Sequence, residues 1–114
     1  SKMETKRTTG TILEALKKVV ENKEILNAEY WADAALYLEI LIGDEHQKLL
    51  ELQQEVAKLE LEALADSKSV AAAKLKIKAT DKHKEMRRQE LLIKQVDEYV
   101  RIAKLQSRIR NLNL

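Results

Sequence analysis

The fold is decided by residues 28–64, AEYWADAALYLEILIGDEHQKLLELQQEVAKLELEAL. Apolar residues recur in this stretch at alternating spacings of four and three, the heptad pattern of helices that pack along one seam. The members of the seam are Trp31, Ala35, Leu38, Ile42, Glu45, Leu49, Leu52, Val56, Leu59 and Ala63. Glu45 is the one polar member, and the weak helix propensity of the nearby Gly43 predicts a kink or a local irregularity there. The pattern predicts one long helix over about 28–64, with Asn27 as its N-cap.

On the C-terminal side of this helix, residues 65–69 (ADSKS) predict a turn. Ser67 or Ser69 can cap the following helix, which we expect over about 70–111. Because a short connection makes the flanking helices antiparallel neighbours, folding about the turn brings Leu59 opposite Leu75 and Trp31 opposite Ala103. Apolar residues face apolar residues in both cases, so the sequence predicts a long antiparallel helical hairpin of the coiled-coil type.

On the N-terminal side, the spacing of Ile12, Ala15, Leu16, Val19 and Val20 predicts a short amphipathic helix over about 11–24. We expect Thr11 as its N-cap, with Glu14 completing a capping box. Residues 1–10 are polar and aperiodic, and we expect them to be flexible. The expected organisation is thus a flexible segment over 1–10 and a single helical domain over 11–114.

Composition supports the all-α fold class. The chain has 114 residues with no Pro, Cys or Phe and only two Gly, and 35% of its residues are charged, a profile typical of long helices. Cysteine-based disulfides and metal sites are excluded. No stretch approaches the roughly 20 apolar residues needed to cross a bilayer, nor does a signal segment open the chain. We therefore expect a cytoplasmic protein that has no membrane partner.

The chain has more apolar surface late in its last helix than one hairpin can cover. Large apolar residues between 91 and 112 surround most of that helix, and a helix that is apolar on more than one face must be covered on more than one face. The first helix can cover one side and a second copy another. We therefore expect a homo-oligomer whose interface includes Leu92, Val96, Tyr99, Val100 and Ala103.

Charge is divided unevenly along the chain. Residues 1–66 carry 8 Lys and Arg against 14 Asp and Glu, whereas residues 67–114 carry 13 against 5. Cations along a helix can neutralise successive phosphates without reading sequence. The candidate nucleic-acid-binding residues are Lys74, Lys76, Lys78, Lys82, Lys84, Arg87 and Arg88. In the alternative interpretation, the acidic helix simply pairs with the basic one, with Glu60 opposite Lys74, Glu55 near Lys78 and Glu51 near Lys82.

Other residue types give little sign of chemistry. His46 and His83 are isolated, so we expect surface histidines and no metal site. Trp31 lies on the seam and is expected in the core, whereas Tyr30 lies outside it. Two isolated glycines cannot form a phosphate-binding loop, and no nucleophile stands in a pattern with a base. We expect no enzymatic activity, no cofactor and no small-molecule substrate.

Several segments resemble the small coiled-coil proteins of tailed bacteriophages. These segments are SVAAAK (69–74), ATDKHKE (79–85) and IAKLQSR (102–108), after an acidic helix that ends in LELEA (59–63). More distantly, AALY (34–37) and the heptads after it are similar to the first long helix of UvsY-type recombination mediators. That family forms helical oligomers that bind single-stranded DNA and help to load a recombinase. Its basic DNA-contacting stretch falls late in the first long helix, where this chain is acidic, so no DNA-binding residue is transferred from it.

The interpretation that these features favour is an oligomeric, non-enzymatic helical protein that binds single-stranded DNA as a phage recombination accessory. Its expected partners are further copies of itself, single-stranded DNA and a recombinase, in the cytoplasm of a bacterial host. A helical adaptor or inhibitor that binds a host protein is the first alternative. A coiled-coil virion assembly factor is the second, and the residue pattern does not separate the three.

Overall fold

The computed structural model describes residues 8–22 and 26–112. Within these ranges the chain forms four α-helices and no strand: α1 (Thr9–Glu21), α2 (Ala28–Asp66), α3 (Val70–Lys78) and α4 (Asp81–Leu112). α2 and α4 pack against each other as the two arms of a helical hairpin. The predicted all-α fold class, with a short N-terminal helix before a long hairpin, is confirmed. The last residues of the expected helix 11–24 reach into positions 23–25, which lie outside the described residues, as do residues 1–7 of the expected flexible segment.

α1 begins earlier than the sequence predicts. Its N-cap is Thr8 rather than Thr11: the Thr8 hydroxyl accepts from the Thr11 N–H at 3.2 Å, and Thr11 Oγ1 accepts from the Thr8 N–H at 3.0 Å. Two threonines therefore form the capping box that was expected from Thr11 and Glu14. A hydroxyl at the third helical position can replace the usual Glu because it also accepts from the N-cap amide.

The other two predicted caps are present. Asn27 Oδ1 accepts from the Tyr30 N–H at 2.8 Å, which fixes the start of α2. Ser69, in extended backbone geometry, accepts from the Ala72 N–H at 3.1 Å and caps α3. Each side-chain oxygen accepts from a first-turn amide that has no partner within its helix. The Ser69 cap therefore marks the start of α3 as a helix separate from α2.

The expected single helix over 70–111 is interrupted at Ala79 and Thr80, so α3 has only nine residues. Thr80 Oγ1 donates to the Ile77 carbonyl at 2.6 Å and accepts from the His83 N–H at 3.2 Å. This one side chain thus ends α3 and begins α4. Threonine competes for backbone hydrogen bonds in this way at helix ends, and here Asp81 stands favourably in the first turn that follows.

The chain divides into two compact units. The first unit takes in the described residues up to Ile42 and from Lys94 onward. It holds α1, the start of α2 and the C-terminal part of α4. Its buried apolar residues are Leu13, Leu16, Trp31, Ala35, Leu38, Val96, Val100 and Ala103. Trp31 is only 2% exposed, which confirms its expected place in the core. In this unit the Ser107 hydroxyl donates to the Ala28 carbonyl at 3.1 Å, tying α4 to the first residue of α2.

The second unit is Gly43–Ile93, which contains the turn of the hairpin. Its core is Val56, Ala63, Ala73 and Ile77, with Leu59 and Met86 packed against it. Leu75, the expected partner of Leu59, is instead 68% exposed. α3 turns Ala73 and Ile77 inward, and Leu75 stands on the opposite side of a helix with about 3.6 residues per turn. The intramolecular hairpin is confirmed, but its contact residues on α3 differ from those predicted.

Gly43 does not end α2, which remains helical from Ala28 to Asp66. The break between helices after the turn falls at Ala79 and Thr80, between α3 and α4. No helix in the described part of the chain is long and apolar enough to cross a membrane.

Candidate nucleic-acid interface

The three lysines of α3, Lys74, Lys76 and Lys78, are all exposed. None of them forms an ion pair with any residue in 8–22 or 26–112. Because Ala73 and Ile77 face the core, the lysines flank the buried side of α3 and project on either side of it. We call this group the α3 lysines. They place three unneutralised charges within five residues of one short helix.

Two of the cations at the start of α4 are already neutralised. Lys82 Nζ lies 2.9 Å from Glu55 of α2 and 3.2 Å from Glu85 one turn along α4. Hydrogen bonds from Lys82 to these two carboxylates raise its pKa from the usual 10.5, with the Glu55 bond the larger cause. Arg87 Nη1 lies 3.0 Å from Glu90. Because Lys82 and Arg87 are already paired with carboxylates, we expect them to bind a phosphate more weakly than the α3 lysines do.

Lys84 and Arg88 remain exposed and without an ion pair among the described residues. They lie one helical turn apart and so share a face of α4. Leu91 lies on the same face and is 56% exposed. Lys68, in the turn before α3, is also exposed and has no ion pair among the described residues. Sequence reasoning did not include Lys68 among the candidates, although its position next to the α3 lysines was the available signal.

The acid–base pairing of the hairpin that the alternative interpretation expects is formed at one place only within the described second unit. Lys82 meets Glu55 rather than Glu51, and neither Lys74 nor Lys78 has a carboxylate within salt-bridge distance among the described residues. Among the described residues of this unit, α2 thus pairs with Lys82 of α4 but with no lysine of α3.

A second polar feature of this unit is the seam residue Glu45, which is only 3% exposed. Gln89 Nε2 donates both to its backbone carbonyl and to its side-chain carboxylate. Lys48 Nζ lies 3.5 Å from the same carboxylate. The folding register that places Trp31 opposite Ala103 also places Gln89 opposite Glu45, so the signal for this partner was present in the sequence although sequence reasoning did not name it.

Aromatic residues do not join the cations. The second unit contains no Phe, Trp or Tyr. Tyr30 is partly exposed, as expected, and packs edge-to-face on the buried Trp31, with ring centroids 5.3 Å apart. Among the described residues no group of three or more potential metal ligands is present. The second unit therefore has no Phe, Trp or Tyr on which bases could stack.

The first unit has a groove of about 690 Å³ between α1 and α2. It is lined mainly by apolar side chains of α1, with Tyr30, Asp33, Ala34, Tyr37 and Leu38 on the α2 side. No cation of the described residues lines it. It is thus a separate feature from the cationic surface of the second unit.

The structure places most of the expected oligomer interface inside the chain. Val96 and Ala103 have no exposed surface, Val100 is buried at 7%, and Leu92 and Tyr99 are half-buried. The apolar residues of α4 that do face solvent are others: Leu91, Leu105, Ile109 and Leu112. An interface formed by this folded chain would use these exposed residues.

Comparison of the chain with protein-family models, with curated proteins and with solved structures found no match.

Proposed function

We propose that this chain is a non-enzymatic protein that binds single-stranded nucleic acid, with single-stranded DNA as its ligand. The contact surface is formed by the α3 lysines together with Lys68, Lys84 and Arg88. The observation that carries the proposal is that the α3 lysines are exposed and unpaired, although an acidic helix runs beside them in the same unit. A stretch whose only task was to neutralise that helix would form the pairs that are missing.

The chemistry of this surface is that of phosphate binding. Lysine is a compact, hydrated point charge on a flexible stem, suited to follow a mobile backbone rather than to grip one rigid group. Each phosphate that it neutralises releases a condensed counterion, which makes affinity depend on salt. Because the second unit has no Phe, Trp or Tyr ring on which bases could stack, we expect little preference among sequences.

The wider role that we propose, an accessory in phage recombination that acts with a recombinase, rests on the resemblance to the UvsY-type mediators. Exposed cations support the DNA-binding part of that role. A partner recombinase would have to recognise a different surface, because a strand held on the α3 lysines covers them.

The test is a triple substitution, Lys74→Ala/Lys76→Ala/Lys78→Ala, measured by fluorescence anisotropy with a labelled single-stranded oligonucleotide across a salt series. We expect weaker binding for all base compositions. We also expect the slope of log affinity against log salt to fall by roughly 0.7 for each phosphate that the variant no longer neutralises. Thermal stability should change little, because these lysines form no ion pair in the described structure.

A matched control is Lys18→Ala/Lys58→Ala/Lys94→Ala, which removes the same charge from three exposed lysines elsewhere that have no ion pair among the described residues. If binding depended on net charge alone, the two triple variants would be equally weak, and the proposed surface would be wrong. A loss of thermal stability in the α3 variant with no change in binding would favour the salt-bridge interpretation. If the unaltered protein has no affinity for single strands even at low salt, the proposal fails and the protein-adaptor alternative takes its place.

A further inference from the structure

Two apolar stripes on the first unit face solvent. On α2, Leu36 and Ile40 are 60% and 61% exposed and lie one helical turn apart. On α4, Leu105, Ile109 and Leu112 are 50%, 40% and 79% exposed, at spacings of four and three. We call these the α2 outer stripe and the α4 outer stripe. The spacing in each case is that of residues that share one helix face.

The two stripes point away from each other. At about 100° per residue, Leu36 and Ile40 lie nearly opposite Leu38, which is buried at 1% exposure. By the same rule Leu105 lies opposite Val96, which is fully buried. Since Leu38 and Val96 face the core of the same unit, each stripe lies on the outside of its own helix. Neither stripe can cover the other within one chain.

The charges around the stripes are of opposite sign. Between Ala28 and Ile42, α2 has no Lys or Arg but carries the carboxylates of Glu29, Asp33 and Glu39. Glu39 is paired with Lys104 at 2.6 Å, whereas Glu29 and Asp33 are exposed and have no ion pair among the described residues. On its own helix the α2 outer stripe is thus bordered by acidic residues, and Leu36 also lines a pocket with Lys104 and Arg108 of α4.

The corresponding stretch of α4 is basic. After Glu98 the described part of α4 has no carboxylate, and its charged residues are Arg101, Lys104, Arg108 and Arg110. Arg101 pairs with Glu98 and Lys104 with Glu39, while Arg108 is exposed and has no ion pair in residues 8–22 and 26–112. The α4 outer stripe is thus apolar with a basic border.

We infer that the α4 outer stripe of one copy of this chain docks on the α2 outer stripe of a second copy. Apolar side chains would meet apolar side chains, and Arg108 beside one stripe would meet Glu29 and Asp33 beside the other. Pairing α4 with α4 would place arginines against arginines, and pairing α2 with α2 would place carboxylates against carboxylates. Like charges at an interface oppose association, so the unlike pairing is the favoured one.

Such an interface is heterologous, because it joins two different surfaces. In a dimer, one copy still has its α2 outer stripe free and the other copy has its α4 outer stripe free. Further copies can bind to these free stripes, which gives either a closed ring or an open chain of copies. This arrangement differs from the interface expected from the sequence, most of whose residues the chain buries in its own core. The proposed interface does not use the α3 lysines, so it can be tested independently of the proposed function.

The test uses two variants of the full chain, each lacking one stripe: Leu36→Gln/Ile40→Gln and Leu105→Gln/Ile109→Gln. Light scattering should find the unaltered protein above its monomer mass of 13.1 kDa, rising with concentration. Each variant alone should be monomeric, since it has only one stripe and nothing to bind it. An equimolar mixture of the two should give a species of twice 13.1 kDa, because each variant supplies the stripe that the other lacks.

Leu61→Gln is the matched control, because Leu61 is 70% exposed on α2 but lies in the second unit. It should assemble like the unaltered protein. Circular dichroism on every variant checks that the helices are retained. As a second pair that leaves the apolar residues in place, Asp33→Lys and Arg108→Glu should each lower the assembled mass at low salt.

Three results would overturn the inference. One is a monomer at every concentration of the unaltered protein. The second is self-assembly of the variant that lacks the α2 outer stripe, which would mean that α4 binds α4. The third is a mixture of the two variants that stays monomeric although both are folded. DNA binding measured on the same samples reports on the proposed function independently.

Discussion

Gln89 of α4 holds Glu45 of α2 through two hydrogen bonds, donating from Nε2 to the Glu45 backbone carbonyl at 2.8 Å and to its Oε1 at 3.0 Å. This is the point where a polar residue interrupts the heptad seam. A buried carboxylate that loses hydrogen-bond donors is destabilised, so a shift of α4 by one turn, which would remove the two Gln89 bonds, would be penalised here. If two apolar residues of similar size stood at these positions, the same shift would cost much less free energy. The pair therefore selects one alignment of the two arms in the second unit.

Replacing Gln89 with Leu should lower the free energy of unfolding by about 1–3 kcal/mol, because it removes two hydrogen bonds from a buried acidic residue. Urea unfolding monitored by circular dichroism measures the change. Gln53→Leu, on an exposed position of α2, is the control and should have little effect. Adding Glu45→Leu to the Gln89→Leu variant should recover most of the stability. A double variant no more stable than the single one would contradict this account.

Gly43 is an exposed glycine inside α2, and nothing lies within 4 Å of where its Cβ would be. Gly43→Ala should therefore stabilise the chain by about 0.5–1 kcal/mol, the difference in helix propensity between the two residues. The same urea measurement tests it. Ala57→Gly, at an exposed interior position of the same helix, should cost a similar amount. Destabilisation by Gly43→Ala would show that the glycine is needed for a close approach or a bend.

Thr80 forms the junction of α3 and α4 through its hydroxyl. Thr80→Val keeps the shape of the side chain but removes both of its hydrogen bonds, to Ile77 and from His83. It should cost about 0.5–2 kcal/mol, the usual range when an N-cap is removed. Thr80→Ser keeps the hydroxyl and should retain most of the stability. Equal destabilisation of the two variants in urea would mean that the methyl group, not the hydroxyl, makes the junction.

Lys82 links the two arms of the second unit and has a raised pKa. A raised pKa in the folded state means that the ion pairs contribute below pH 10.5, the usual value, and cease to contribute as pH rises through the folded-state pKa. Lys82→Met removes these ion pairs. We expect the difference in urea midpoint between the unaltered protein and Lys82→Met to be constant up to about pH 9 and to shrink above pH 10.5. Because Lys82 is well solvated, the difference is expected to be modest. A difference that grows with alkaline pH would contradict this assignment.

The hairpin was predictable because it depends on features that are local or periodic. The heptad spacing identifies α2, and Asn27 and Ser69 mark helix starts because a short polar side chain there satisfies a free backbone amide. Burial of Trp31 follows from its place on the seam. None of these features depends on which residues meet across the hairpin.

The break at Thr80 was not predicted, because the chain has no glycine or proline there and the helical composition continues on both sides. A threonine followed by an aspartate was the available signal, and it was outweighed by the surrounding helix formers. The consequences extend to the candidate site. An uninterrupted helix would turn Leu75 towards Leu59 and bring the α3 lysines to the acidic arm, whereas the break turns Ala73 and Ile77 inward instead.

The shortness of α3 has a consequence for how the cationic surface behaves over time. An isolated helix of nine residues is marginal in water, and α3 is retained chiefly by two inward side chains, Ala73 and Ile77, between capped ends. We expect its amide protons to exchange with solvent by local opening, well before those of α4 that lie around Val96. A bound strand would then suppress that exchange. Hydrogen–deuterium exchange with and without oligonucleotide would locate the bound surface without altering a single residue.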